Sequence, residues 1–170
     1  MQRVMIVGGP GSGKSTLARA LGDRTGLPVV HVDRIHWLPN WVERPKEEKL
    51  RLAHVEEVKP AWIFEGSLTA TWPHRACRAD TLIWLDLNVY LRLWRVTKRI
   101  FQHYGQSRPD LTEGCHEALR WDTLAFYRFI WRTRHTRDIN IQKLIDEHPH
   151  LKVHHLKGRA AIAQFLATFE

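Results

Sequence analysis

The sequence predicts an α/β domain on a parallel sheet, and three observations carry that expectation. Short apolar, β-branched runs alternate with longer segments of helical periodicity along the whole chain. The first of these runs stops at a cluster of glycines, the signature of a strand entering a tight loop. The chain has 170 residues, 44% of them hydrophobic and 26% charged, which suits one folded domain with a real core rather than a disordered segment.

Taken in order, residues 3–7 form a buried strand, and a helix follows over 14–25 with Leu17, Ala20 and Leu21 at helical spacing. Residues 28–32 form a second strand, and 46–59 a charged helix that starts after Pro45 and stops at Pro60. Residues 62–64 form a third strand closed by Glu65 and Gly66, and 81–87 a fourth that leads into a helix over 89–104. The stretch 105–114 carries Gly, Ser, Pro and Asp and reads as a loop. One long helix is expected over 116–135, another over 139–147, a fifth strand over 153–156 and a closing helix over 159–169. No linker, repeat or low-complexity tract interrupts this pattern. Residues 1–170 are therefore expected to form a single domain, with 103–120 as a mobile insertion.

Composition narrows the function classes. The net charge of +8 suits an anionic partner, and nucleotides and nucleic acids both qualify. Cys77 and Cys115 lie far apart without metal-ligand spacing, so two reduced thiols are expected. The eleven histidines show no tight ligand constellation, and zinc is not expected; His154 and His155, side by side in a strand, should face opposite ways. No apolar run approaches the ~18 residues of a membrane span, and the apolar start runs straight into glycines as a strand does, so a cytoplasmic protein without a membrane partner is expected. Most of the eight tryptophans should be core or cleft-wall residues.

The glycine cluster is specific. Gly8, Gly9, Pro10, Gly11, Ser12, Gly13, Lys14, Ser15 and Thr16 fit the P-loop pattern G-x-x-x-x-G-K-[ST], with a strand before and a helix after. The glycines let backbone N–H groups converge on phosphate oxygens, and the helix beginning near Lys14 adds the positive end of its dipole. Lys14 is expected to reach the β and γ phosphates of ATP, and the Ser15 hydroxyl to ligate Mg²⁺. Three acids stand at strand ends, where ligands of such sheets bind: Asp33, Glu65 and Asp86. Asp86, in Leu-Ile-Trp-Leu-Asp, is the most literal Walker-B string, yet it also suits the start of a turn. Asp33 and Glu65 are candidates for the metal shell, and Asp33 also for orienting or deprotonating an acceptor hydroxyl.

Gly8 to Thr16, Leu27 to Asp33, and Trp37 with Pro39 and Trp41 together resemble the adenylate-kinase-related DNA topology modulation proteins. The similarity continues through Ala61 to Gly66, Arg78 to Leu87, Arg108-Pro109-Asp110 and Trp131 to Arg134, so it touches most of the chain, with only the P-loop highly specific. It implies the nucleoside/nucleotide-kinase form of the P-loop NTPase three-layer sandwich, with five parallel strands in the order 2-3-1-4-5 and an arginine-bearing lid. On that pattern strand three adjoins strand one, which favours Glu65 over Asp86 near the metal. Two departures stand out. The family position of Glu65 is more usually Asp, and the arginine that adenylate kinases place a few residues after Asp-Gly is missing; Arg75 is the first candidate here.

Arg92, Arg95 and Arg99 share one helix face with Lys98 beside them, a face that either embraces the nucleotide or is simply a solvated basic surface. Arg128, Arg132, Arg134 and Arg137 form a second cluster, of which Arg134 and Arg137 are implied by the resemblance to meet the γ phosphate. Arg95, Arg99, Arg134 and Arg137 are thus candidate catalytic residues beside Lys14 and Asp33. Trp37 and Trp41 could line an acceptor pocket or serve as a core or hinge. The expected function is transfer of the γ-phosphoryl group of ATP to a small acceptor such as a nucleoside or nucleotide, with Mg²⁺. The rival is an ATP-dependent nucleic-acid-binding or regulatory protein with ATPase rather than kinase activity.

Overall fold

The computed structural model describes residues 1–119 and 121–169. The chain begins with β1 (Arg3–Gly8), α1 (Lys14–Thr25), β2 (Val29–His31) and the short α2 (Val32–His36), then a hairpin of β3 (Trp37–Leu38) and β4 (Val42–Glu43). Next come α3 (Lys46–Glu57), β5 (Trp62–Glu65), α4 (Trp72–Arg78), β6 (Thr81–Asp86) and α5 (Val89–Gln102). After an irregular stretch the chain ends with α6 (Thr123–Arg132), α7 (Arg134–Glu147), β7 (Lys152–Lys157) and α8 (Gly158–Ala167).

Five strands form one parallel sheet in the order β2-β5-β1-β6-β7, and β3-β4 form a separate antiparallel pair. The hairpin has no counterpart among the five expected strands, so the expected numbering 2-3-1-4-5 does not carry over to the seven strands of the described residues. Alternate residues of β1 divide between the two faces. Val4 and Ile6 join Leu17, Ala18 and Leu21 of α1 and Phe165 of α8. Met5 and Val7 join Phe64, Trp84, Ala53 of α3, Ala76 of α4 and Ile141 of α7. Helices therefore cover both faces, as the unbroken apolar strands require. Each buried Val, Leu, Ile, Phe or Met among them contributes about 1.5–3 kcal/mol relative to its exposed state.

Several boundaries differ from expectation for identifiable reasons. The single helix expected over 116–135 is two segments joined at Thr133, whose hydroxyl bonds back to the Phe129 carbonyl at 2.7 Å and whose ψ of 2° ends the regular spiral. Residues 116–119 lie outside any helix, and α7 begins at Arg134, earlier than expected. Helix α4, with Pro73 in its first turn, is not anticipated by the sequence because seven residues are too few to show a period. Trp62, Trp72 and Trp84 are buried and Trp37 and Trp41 half-buried, while Trp94, Trp121 and Trp131 are exposed and depart from the core or cleft-wall placement expected of most tryptophans. Among the described residues no helix is long and apolar enough to cross a membrane.

Candidate active site

Strand register sets the floor of the site. Ile6 on β1 stands opposite Glu65 on β5, Glu65 opposite His31 on β2, and Gly8 opposite Leu85 on β6. The ends of four strands therefore reach one edge, and β1 there turns directly into the glycine loop. Gly13, at φ 93°, caps α1 in the left-handed region that a side chain rarely adopts. A Cβ on Gly9 would lie 1.5 Å from Arg92 Nη1 and 3.0 Å from Arg137 Nη1, so the loop lies directly against two guanidinium groups. Lys14 donates from Nζ to the Gly9 carbonyl at 3.2 Å, folding its side chain back over the loop. Burial holds the Lys14 pKa below its usual value, while the charges of Glu65 and Asp33 oppose that shift.

Asp33 lies in the first turn of α2, two residues past the end of β2, and not at the strand end itself. Its pKa is raised by burial and by the Glu65 carboxylate, with Lys14, Arg108 and Arg99 pulling the other way. Glu65 is 2% exposed and accepts a hydrogen bond at 2.7 Å from His31 Nδ1. Asp86 stands on the other side of β1, bonded to His155 Nε2 at 2.9 Å, with the His155 ring stacked on Trp84 at 3.9 Å. His154 faces the other way, onto Phe165. The three acids are thus divided, Asp33 and Glu65 together and Asp86 apart.

Arg95 donates from Nη1 to the Ser12 carbonyl at 3.2 Å. Arg99 pairs with Glu117 at 3.0 Å and its charge acts on Asp33 and Lys14. Arg137 lies against Gly9, whereas Arg134 donates to the Trp131 carbonyl and covers the Trp131 ring at 4.3 Å. The structure brings Arg95 and Arg137 to the loop, holds Arg99 on Glu117 with its charge acting on Lys14 and Asp33, and turns Arg134 away. Burial lowers the pKa of Arg92, Arg95, Arg99 and Arg137, and like charges add to this: Arg159 on Arg95, Arg108 on Arg99, Arg92 on Arg137. So dense a set of cations costs stability unless an anion enters. A polyphosphate present at a hundred times its Kd should therefore add about 2.7 kcal/mol, a Tm rise of roughly 5–11 °C for a chain of this size. Thermal melts with triphosphate across a NaCl series should show the rise, shrinking with salt.

The stretch 108–117 is bonded to the β3–β4 hairpin. Trp41 Nε1 donates to the His116 carbonyl at 2.8 Å, Thr112 Oγ1 to the Trp37 carbonyl at 2.6 Å, and Cys115 Sγ to the Leu38 carbonyl at 3.2 Å. Arg34 donates to the Pro109 carbonyl. Arg108, from the insertion, pairs with Asp110 at 2.6 Å and Glu117 at 2.8 Å and adds its field to Asp33. Arg75, the candidate substitute for the missing acceptor-side arginine, is fully buried instead. It covers the Phe64 ring at 4.6 Å, donates to the Leu68 carbonyl at 3.0 Å, and burial lowers its pKa to about 9.

Sequence reasoning missed His31 and Arg108 as site residues and named Arg92 only as part of a helix face. A signal for His31 exists: a polar side chain between Val30 and Val32 in an otherwise apolar strand, two residues before Asp33. Arg108 could not be placed, because nothing local fixes where an irregular loop folds back.

No protein-family model matches the sequence, and no curated protein matches it, so the likeness to the DNA topology modulation proteins has no counterpart there. Solved structures do match. A shikimate kinase from Bacteroides thetaiotaomicron aligns with a TM-score of 0.61 over 98% of this chain and 95% of that one, at 16% identity. At that identity the match establishes the fold alone, a five-stranded parallel sheet covered by helices on both faces.

Proposed function

We propose that the chain is an ATP- and Mg²⁺-dependent kinase that phosphorylates a hydroxyl of a small acceptor. The observation that carries this reading is a glycine-rich loop with Arg92, Arg95 and Arg137 packed against it and Lys14 folded over it, and a carboxyl of raised pKa, Asp33, within the field of Lys14 and Arg99. The fold neighbour is by name a kinase, which supports the reaction class and leaves the acceptor open.

The residues present fit both groups. The missing side chains of Gly9 and Gly11 let Arg92 lie directly against the loop, and the buried Ser12 Oγ has no partner among the described residues. Ser15 and Glu65, with Asp33 beside them, would hold Mg²⁺, which neutralises phosphate charge when bound. In the transfer, the acceptor oxygen forms a bond to the γ phosphorus and the bond to the β–γ bridging oxygen breaks, releasing ADP. The acceptor proton passes to Asp33. Lys14 and the arginines around the loop stabilise the charge that spreads over the transferred group. The testing experiment is a screen of hydroxyl acceptors for ADP formation above the acceptor-free rate. A uniform rate across all acceptors would replace the kinase by an ATPase.

Asp33→Asn separates catalysis from stability. Because the pKa of Asp33 is raised on folding, the stability this group contributes is complete below the unfolded carboxyl's pKa and is lost as pH rises through the folded one. At pH 7 the variant should therefore melt above the unmodified chain, with the gap closing below about pH 4. Turnover should fall by roughly 10²–10⁴, and the acid limb of the pH–rate profile assigned to Asp33 should disappear. A lower Tm at pH 7 would contradict the assignment.

One observation favours the rival. Tyr90, Trp94 and Trp131 are exposed, and Lys98 and Arg134 lie over the two indoles at 5.2 and 4.3 Å, an aromatic and cationic surface of the type that stacks bases. The kinase reading expects only non-specific nucleic-acid binding there, with Kd about 10⁻⁴–10⁻⁶ M at physiological salt. Sub-nanomolar, sequence-dependent shifts in a gel series would reverse the ranking.

A further inference from the structure

We propose that His31 is a positioning residue that fixes the Glu65 carboxylate for the metal; the inference rests on the kinase reading above. The two side chains meet because β2 and β5 are parallel neighbours with His31 and Glu65 in register. His31 is 7% exposed and Glu65 2%, so water does not hold the carboxylate in place. The His31 Nδ1–H donates to Oε1 at 2.7 Å, which orients the carboxylate and leaves Oε2 for a further ligand. From within the core, the buried Arg75 guanidinium attracts Glu65 as well.

A glutamate carries one more rotatable bond than an aspartate, and an unrestrained glutamate would spread its oxygens over several positions. The hydrogen bond from His31 removes that freedom. Glu65 is then held on the Lys14 side of the sheet edge, where its charge acts on both Lys14 and Asp33. Partners of this kind, bonded to a ligating group instead of to the metal, typically govern metal affinity by 10–100-fold. His31 therefore makes a glutamate serviceable at a position where a shorter acid would need no such tie.

The test is calorimetric ATP binding with Mg²⁺ and with EDTA, for the unmodified chain and for His31→Leu, His31→Asn and His31→Gln. The Asn amide nitrogen falls near the place of Nδ1, and the Gln amide near that of Nε2. Magnesium should strengthen ATP binding to the unmodified chain. His31→Leu should lose about tenfold of that gain while its affinity in EDTA stays unchanged. His31→Asn should keep the gain to within about threefold, and His31→Gln should not. In a Glu65→Ala background the three substitutions should have no further effect on the gain. A folded His31→Leu that keeps the full gain, or loses affinity equally with and without Mg²⁺, overturns the inference. Should His31→Leu fail to fold, equal behaviour of the Asn and Gln variants overturns it in the same way. An unmodified chain that binds no ATP at all overturns the kinase reading itself, an outcome distinct from either.

Discussion

Lys14→Ala is expected to abolish tight triphosphate binding while the domain stays folded. The Lys14 ammonium is the cation on the loop itself, and its hydrogen bond goes to the Gly9 carbonyl of that same loop and not to the core. Hydrogen bonds to charged groups contribute about 1.5–3 kcal/mol each, so losing contact with two phosphates should weaken ATP binding by about a hundredfold or more. The stability change should be small, because removing Lys14 relieves repulsion with Arg137 and Arg99 while removing its attraction to Glu65 and Asp33. A Tm within ~3 °C of the unmodified chain corresponds to about 1 kcal/mol for a protein of this size. Calorimetric titration with ATP and Mg²⁺ reads the binding. Unchanged affinity in a folded variant would remove the phosphate-cradle assignment.

AMP should be a poor acceptor, by roughly tenfold to a hundredfold or more relative to an acceptor without a phosphate. Stretch 67–71 supplies no arginine after Glu65-Gly66. Arg75 cannot readily replace it, being fully buried over Phe64 and bonded to the Leu68 carbonyl. The cations beside the insertion are already matched by acids: Arg108 within it by Asp110 and Glu117, and Arg99 on α5 by Glu117. An acceptor phosphate would have to displace those pairs, and a missing charge partner costs about 1.5–3 kcal/mol. ADP formation from ATP and AMP, compared with nucleosides and other monophosphates, decides the matter. A kcat/KM for AMP near 10⁶ M⁻¹s⁻¹, ordinary for a preferred substrate, would show that the acceptor phosphate finds a grip elsewhere.

The parts of this molecule legible in its sequence are those that local rules determine. The P-loop follows from residue type and spacing, and α1 occupies the same residues in the structure as in the sequence, because Gly13 and Gly26 punctuate both its ends. The parallel sheet follows from its apolar runs. What escaped depends on chain that returns from a distance. Two-residue strands and the seven-residue α4 have no measurable period. The pairing of His31 with Glu65 needs the strand order before it can be seen. Arg134 and Arg137 look alike in sequence and share α7, yet the first lies over the Trp131 ring and the second against Gly9. Trp94 and Trp131 are exposed because α5 and α6 cover each other through Val96, Ile100 and Ile130, leaving those two indoles outside.

The tie between the hairpin and the insertion bears on how such proteins can diverge. Asn40 and Trp41 both have left-handed backbones, at φ 63° and 61°, a costly conformation for a bulky residue such as tryptophan. That turn is supported from the insertion, through the Asn40 amide on the Gly114 carbonyl and the Trp41 indole on the His116 carbonyl. Neither segment is a self-sufficient module. A chimera that receives the insertion without residues 37–43, or the hairpin without 108–117, inherits strain on one side and unpaired carbonyls on the other. The two are separated by some 70 residues of sequence, yet they can be exchanged between scaffolds only as one cassette.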